Sequence, residues 1–172
     1  MRAFAVFVVL GAALLAETAG GLRWTAPPGW KSEGTAPMRA ATYRIPATAP
    51  DTEGAECVVY FFGAGQGGSV QQNLDRWASQ VQQADGKPAT PQIAKRKVHG
   101  LAVTTIDVSG QYSGMGGPMA GAKTVKPGFR VLGAIIENPG GNVFLKFAGP
   151  AKLVAANQKK FDQLLESFDK QP

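Results

Sequence analysis

Ala55-Glu56-Cys57-Val58-Val59-Tyr60-Phe61-Phe62, followed by Gly63-Ala64-Gly65-Gln66-Gly67-Gly68-Ser69, is the stretch on which the reading of the fold turns. Ala55, Cys57, Val59 and Phe61 alternate with Glu56, Val58, Tyr60 and Phe62. Both alternating sets are largely apolar, which predicts a central strand covered on both faces. The glycines make a turn. Ser69 with Gln72 then matches a helical capping box, in which each residue's side chain satisfies the other's backbone N–H. Val70, Leu74, Trp77 and Val81 recur at helical spacing, so the helix is read from Ser69 to a stop at Gly86.

Outward from this unit the pattern is of strands. Leu22, Trp24 and Ala26 alternate up to Pro27-Pro28-Gly29. Met38 to Ile45 reads as a strand stopped by Pro46. Ile93 to Val98 and Leu101 to Gly110 read as strands joined at His99-Gly100. Gln111 to Gly128 carries five glycines and two prolines and reads as a long mobile loop. Arg130 to Glu137 and Asn142 to Phe147 form a hairpin across Pro139-Gly140-Gly141. After Gly149-Pro150 comes a helical region with Phe161, Leu164, Leu165 and Phe168 on one stripe. The connections are too short for parallel crossovers. The fold class is therefore α+β, a single-domain antiparallel β-sheet flanked by helices.

The N-terminus predicts export. Met1-Arg2 is a short positive region, and Ala3 to Ala16 is uncharged and apolar. That run falls short of the about twenty residues of a membrane-spanning helix and fits the about 7–15 of a signal-peptide core. Residues 1–20 are read as a signal peptide, cleaved after Gly20 or Gly21, and 21–172 as the domain. The expected location is periplasmic or extracellular, with no stable membrane anchor once the leader is removed. About 150 residues remain, ordinary for a single domain. The net charge of +6 is scattered. Its densest run, Lys95-Arg96-Lys97, is too short for a nucleic-acid footprint and suits a solvated strand edge, so no nucleic-acid partner is expected. Cys57 is the only cysteine. It can form no intrachain disulfide, and burial is expected for a lone thiol in an oxidising compartment.

Catalytic motifs are sparse. Gly63, Gly65 and Gly68 spell GxGxxG between a strand and a helix, where backbone amides could hold a pyrophosphate. The acidic residue that motif requires is misplaced: Asp85 falls at a helix end, and Asp107 is too distant. No cofactor is expected. His99 is the sole histidine, which excludes a multi-histidine metal site, and no metal is expected. Ser167 and Lys170 match Ser-x-x-Lys but lie at the chain end. No catalytic residues are assigned. The ligand-binding candidates are Gly65, Gly67, Gly68 and Ser69 in the glycine turn, and Trp30. Trp24 and Trp77 read as core.

Three stretches carry a family resemblance: Trp24-Thr25-Ala26-Pro27-Pro28-Gly29-Trp30, the run from Ala55 to Trp77, and Lys126-Pro127-Gly128-Phe129-Arg130 onward to Gly149-Pro150. Together they resemble a group of uncharacterised exported bacterial proteins. Their element order is similar to the fold shared by the photosystem II extrinsic protein PsbP and the yeast Ran-binding nucleotide-release factor. The resemblance implies a PsbP-like antiparallel sheet between helices and a protein-binding or assembly role. It carries no binding residue across. The functional expectation is an exported non-enzymatic binding or assembly module, acting on an envelope or extracellular protein or a small ligand. The alternative is an exported hydrolase using His99 with a carboxylate such as Asp107.

Overall fold

In the computed structural model, which describes residues 16–114 and 125–172, the chain runs through eleven strands and three helices. In order they are β1 (Ala16–Ala19), β2 (Leu22–Thr25), β3 (Lys31–Ser32), β4 (Arg39–Ile45), β5 (Ala55–Phe61), α1 (Val70–Ala78), β6 (Val81–Gln82), β7 (Gln92–Val98), β8 (Leu101–Tyr112), β9 (Lys126–Glu137), β10 (Val143–Pro150), α2 (Ala151–Ala156), α3 (Gln158–Glu166) and β11 (Asp169–Lys170). Eight strands form one antiparallel sheet in the order β3-β4-β5-β10-β9-β8-β6, with β7 beside β8. The other three form a small sheet, β1-β2-β11. The α+β class holds, with two sheets where one was expected.

The alternation in β5 sorts its side chains as the sequence predicts. Ala55, Cys57 and Val59 enter a large core with Leu22 and Trp24 of β2 and with Phe161, Leu164 and Leu165 of α3. On the opposite face Tyr60 and Phe62 pack with Leu74 and Trp77 of α1, Ile135 and Phe144. The large sheet thus lies between α1 and a layer made of α2, α3 and the small sheet. Cys57 is fully buried. Trp77 reaches the sheet because β9 has Gly133 beneath it. A Cβ at Gly133 would sit 2.5 Å from the indole.

The sequence reading needs three corrections. α1 ends at Ala78, short of Gly86, because Val81 belongs to a different cluster with Ala89, Val108 and Val131. That cluster pulls the chain into β6 against the end of β8, where Val81 lies opposite Tyr112. Secondly, the segment read as a loop from Gln111 to Gly128 is shorter: β8 extends through Tyr112 and β9 begins at Lys126. Residues 115–124 lie outside the described residues. Thirdly, β10 continues through Pro150, so the C-terminal helical region starts at Ala151 and is divided at Asn157.

The residues assigned to the leader fall into two parts. Residues 1–15 lie outside the described residues. Ala16–Ala19 form β1 and pair with β2 across Gly20-Gly21. Both glycines have positive φ (60° and 77°), the requirement of a two-residue hairpin turn. Glu17 accepts a hydrogen bond from Trp24 Nε1 at 3.0 Å and another from the Tyr43 hydroxyl. The segment upstream of Gly21 therefore makes specific bonds to core side chains. Lys95-Arg96-Lys97 lies on β7, which among the described residues pairs with β8 alone, as a charged edge strand should. Arg96 reaches Glu166 of α3 at 3.2 Å.

Candidate functional site

The glycine turn is occupied by packing and capping. Gly67 (φ 90°) passes so close to the sheet that a Cβ there would lie 2.7 Å from Phe144 and 2.8 Å from Phe62. Gly65 faces open space, and Gly68 lies against the Gln72 side chain. Ser69 caps α1 as predicted: its Oγ accepts from the Gln72 N–H at 3.2 Å, while Gln72 Oε1 accepts from the Ser69 N–H at 2.9 Å. Asn73 Nδ2 donates to the carbonyls of Gly67 and Ser69, both at 2.9 Å. The Ser69 and Gln72 N–H groups are thus engaged by the capping box itself.

Trp30 is only 6% exposed. Its ring packs against Tyr43 and Phe147, and its Nε1 donates to Asn157 Oδ1 at 3.1 Å. It closes the core at the start of α3 and offers no stacking face to solvent. His99 occupies the left-handed first position of the β7–β8 turn (φ 46°) and is exposed. Its Nδ1 lies 2.8 Å from the Phe168 carbonyl, so that nitrogen carries the proton. Asp107, the carboxylate considered as its partner, instead binds Arg130 through both oxygens, at 2.8 and 2.6 Å. His99 and Asp107 are therefore not brought together. Among the described residues no three His, Cys, Asp or Glu side chains converge as metal ligands.

The structure instead gathers a site on the α1 face of the large sheet. Its floor is Tyr60 and Phe62 of the β5 strip with Phe144 of β10. Tyr60 and Phe62 stack at 6.0 Å between ring centroids, and Phe144 meets Phe62 edge-on at 5.6 Å. Trp77 and Arg76 of α1 form one wall, and Pro37, Met38 and Arg39 of the turn into β4 form the other. The groove so formed has a volume of about 320 Å³. A second cavity of about 300 Å³ continues along the sheet, lined by Glu56, Val58, Tyr112 and Ala148, and shares Arg39, Tyr60 and Lys146 with the first.

Lys146 stands at their junction, 7% exposed in the middle of the sheet. The pleat puts it there. Phe144, Lys146 and Ala148 point to the α1 face, while Val143, Leu145 and Phe147 enter the large core. Its Nζ donates to the Gln80 side-chain carbonyl and to the Tyr112 hydroxyl, the latter at 2.9 Å. Burial lowers the Lys146 pKa to about 8, helped by repulsion from Arg76 and opposed by Glu56. Burial likewise holds the Tyr112 hydroxyl up at about 12, so it stays neutral at physiological pH.

Met38 is another unusual feature. It occupies a left-handed conformation (φ 64°) after Pro37, in a turn closed by hydrogen bonds between Ala36 and Arg39 at 2.9 and 3.0 Å. Glycine ordinarily fills such a position, and a side chain there costs about 1–2 kcal/mol. The thioether is nonetheless 64% exposed at the rim of the groove. The turn brings Arg39 over the Tyr60 ring, at 5.8 Å from its centroid.

None of the ligand-binding candidates read from sequence, Gly65, Gly67, Gly68, Ser69 and Trp30, lines this groove, although Tyr60, Phe62 and Trp77 were read as packing residues. One local signal was available: Lys146 is a lone charge inside the apolar run Val143–Phe147. Arg39 and Arg76 carry no such mark, being ordinary arginines in a turn and on a helix.

An antiparallel sheet with helices on both faces defines the class. No family model matches the chain, and no curated protein matches it. Several solved structures are similar, two of which define the comparison. One is the Pseudomonas aeruginosa protein of unknown function PA94, at 14% identity and TM-score 0.54, covering 92% of this chain and 97% of that one. The other is the cyanobacterial PsbP, CyanoP, from Synechocystis sp. PCC 6803, at 14% identity and TM-score 0.52, covering 97% and 98%. The fold is PsbP-like. Among the described residues no helix is long and apolar enough to cross a membrane.

Proposed function

We propose that this chain is an exported, non-enzymatic binding module whose ligand seats in the groove between α1 and the Pro37–Arg39 turn. One observation carries the reading: an ammonium group, Lys146, is buried at the junction of two cavities floored by aromatic rings. A buried charge is retained against a free-energy cost of several kcal/mol, and such groups concentrate at functional sites. The volume falls at the small end of small-molecule pockets. Export is supported by the uncharged run from Ala3 to Ala16. The PsbP-like fold is compatible with a binding or assembly role.

Native mass spectrometry of the chain recovered from its own envelope fraction tests the reading. An adduct of a few hundred daltons that disappears in a Phe144→Ala variant supports it. A chain that stays bare, and takes up nothing from a small-molecule extract of the same cells, overturns it.

A further inference from the structure

We propose that the groove is selective for a small organic anion, an apolar body bearing a carboxylate or sulfonate, with Lys146 as the residue that reads the anionic group. This rests on the reading of the groove as a ligand site.

The charge around the groove is unbalanced. Arg39, Arg76 and Lys146 reach it from β4, α1 and β10. Glu56 is the one carboxylate among its described lining residues, and two arginines already hold it, Arg39 at 3.2 Å and Arg44 at 2.9 Å. Lys146 and Arg76 have no carboxylate partner among the described residues. The Lys146 ammonium meets only neutral oxygens, from Gln80 and Tyr112, which use two of its three N–H donors. Neutral acceptors satisfy hydrogen bonds but leave the charge uncompensated in a poorly hydrated site. An incoming anion supplies the missing charge where the local dielectric makes it count most.

The second half of the ligand follows from the floor. Tyr60, Phe62 and Phe144 present ring faces and edges, and Trp77 closes the side. A bare inorganic anion would leave that surface uncovered, whereas a neutral hydrocarbon would leave Lys146 unpaired. Only a molecule with both parts matches both surfaces, its head group at Lys146 and its body under Met38 and against Trp77.

Two fluorescent probes with the same rings separate the possibilities: 8-anilinonaphthalene-1-sulfonate and its uncharged counterpart N-phenyl-1-naphthylamine, titrated into the folded exported chain at pH 7. The sulfonate is expected to bind one site at least tenfold more tightly than the neutral amine. Lys146→Met should remove that preference while leaving the amine's affinity within about twofold. Should Lys146→Met fail to fold by circular dichroism, Arg76→Gln, an exposed helix position, is expected to weaken the sulfonate alone by threefold or more. Equal binding of both probes, or a sulfonate affinity indifferent to whichever variant is folded, overturns the anion inference and leaves the groove reading standing. Binding of neither probe overturns the groove reading itself.

Discussion

The Lys146 ammonium lies 2.9 Å from the Tyr112 hydroxyl and 5.0 Å from the centre of the same ring. Lys146 is on β10 and Tyr112 is the last residue of β8, so β9 passes between them. The contact bridges a strand whose residue opposite Lys146 is Gly133. The Trp77 indole takes the space that a side chain there would fill.

This burial gives a pH dependence of stability with a definite sign. The Lys146 pKa is about 8 in the folded chain against 10.5 for an ordinary lysine. Between those values the unfolded chain binds a proton that the folded chain has released, so stability rises with pH. The groups facing Lys146 are Arg39, Glu56, Tyr60, Arg76 and Tyr112, and burial raises the pKa of both tyrosines. Urea unfolding between about pH 8 and pH 9.5, below the tyrosine range, is expected to show a gain of about 1–2 kcal/mol from this group. In Lys146→Met that component should be absent. Sulfonate affinity should fall over the same interval as the ammonium loses its proton.

Gly67→Ala is expected to destabilise strongly. The new methyl would press on Phe62 and Phe144 at 2.7–2.9 Å, and the φ of 90° is unfavourable for any side chain. Overpacking together with backbone strain amounts to about 2–4 kcal/mol. Gly65→Ala, at φ 69° in open space, carries only the backbone part, about 1 kcal/mol. Chemical denaturation of the two variants side by side checks the difference. Equal losses would mean that the turn's close approach to the sheet is unimportant.

On the proposed export, β1 is expected to remain on the mature chain. A chain beginning at Gly21 lacks the strand and the Glu17 carboxylate that accepts from Trp24 and Tyr43. It should unfold at lower denaturant than a chain beginning at Ala16, by about 1–3 kcal/mol for the lost acceptor and strand pairing. The intact mass of the exported chain should include Glu17. A mass that starts at Gly21 or Leu22 would restore the cleavage read from the small residues Ala19, Gly20 and Gly21 and show β1 to be dispensable.

Cys57 should be silent to thiol reagents in the native chain. It is fully buried, and desolvation, reinforced by neighbouring Glu56, pushes its pKa well above the ordinary thiol value. Labelling with a chromogenic disulfide is expected to proceed only at the rate of unfolding and to become fast in denaturant. Rapid labelling under native conditions would require that β5 opens locally.

His99→Ala should leave probe binding unchanged. The side chain is exposed, and its hydrogen bond goes to the Phe168 carbonyl, away from the groove. Loss of that bond is worth about 0.5–1.5 kcal/mol of stability. A loss of sulfonate affinity in this variant would contradict the placement of the site.

What the sequence determined by itself is what local chemistry dictates. Alternation in Ala55–Phe62 sorted two faces of a central strand, Ser69 and Gln72 closed a capping box, His99-Gly100 turned a hairpin, and Cys57, Trp24 and Trp77 were placed in the core. Each of those inferences needs only neighbours within one turn or one pleat. Tertiary structure alone decided the rest. Val81 continues the helical stripe of α1 by spacing, yet it is drawn into β6 by Val108 and Val131, which are remote in sequence. Glu17 reads as leader until Trp24 and Tyr43 are seen to donate to it. Arg39 and Arg76 are unremarkable singly, and Lys146 is marked only as a lone charge in the apolar run Val143–Phe147. They become a site only because antiparallel pairing sets β5 beside β10 and Gly133 lets Trp77 down onto the sheet. Cross-strand register is a long-range property, fixed by the burial of whole faces together, and no short window of sequence contains it.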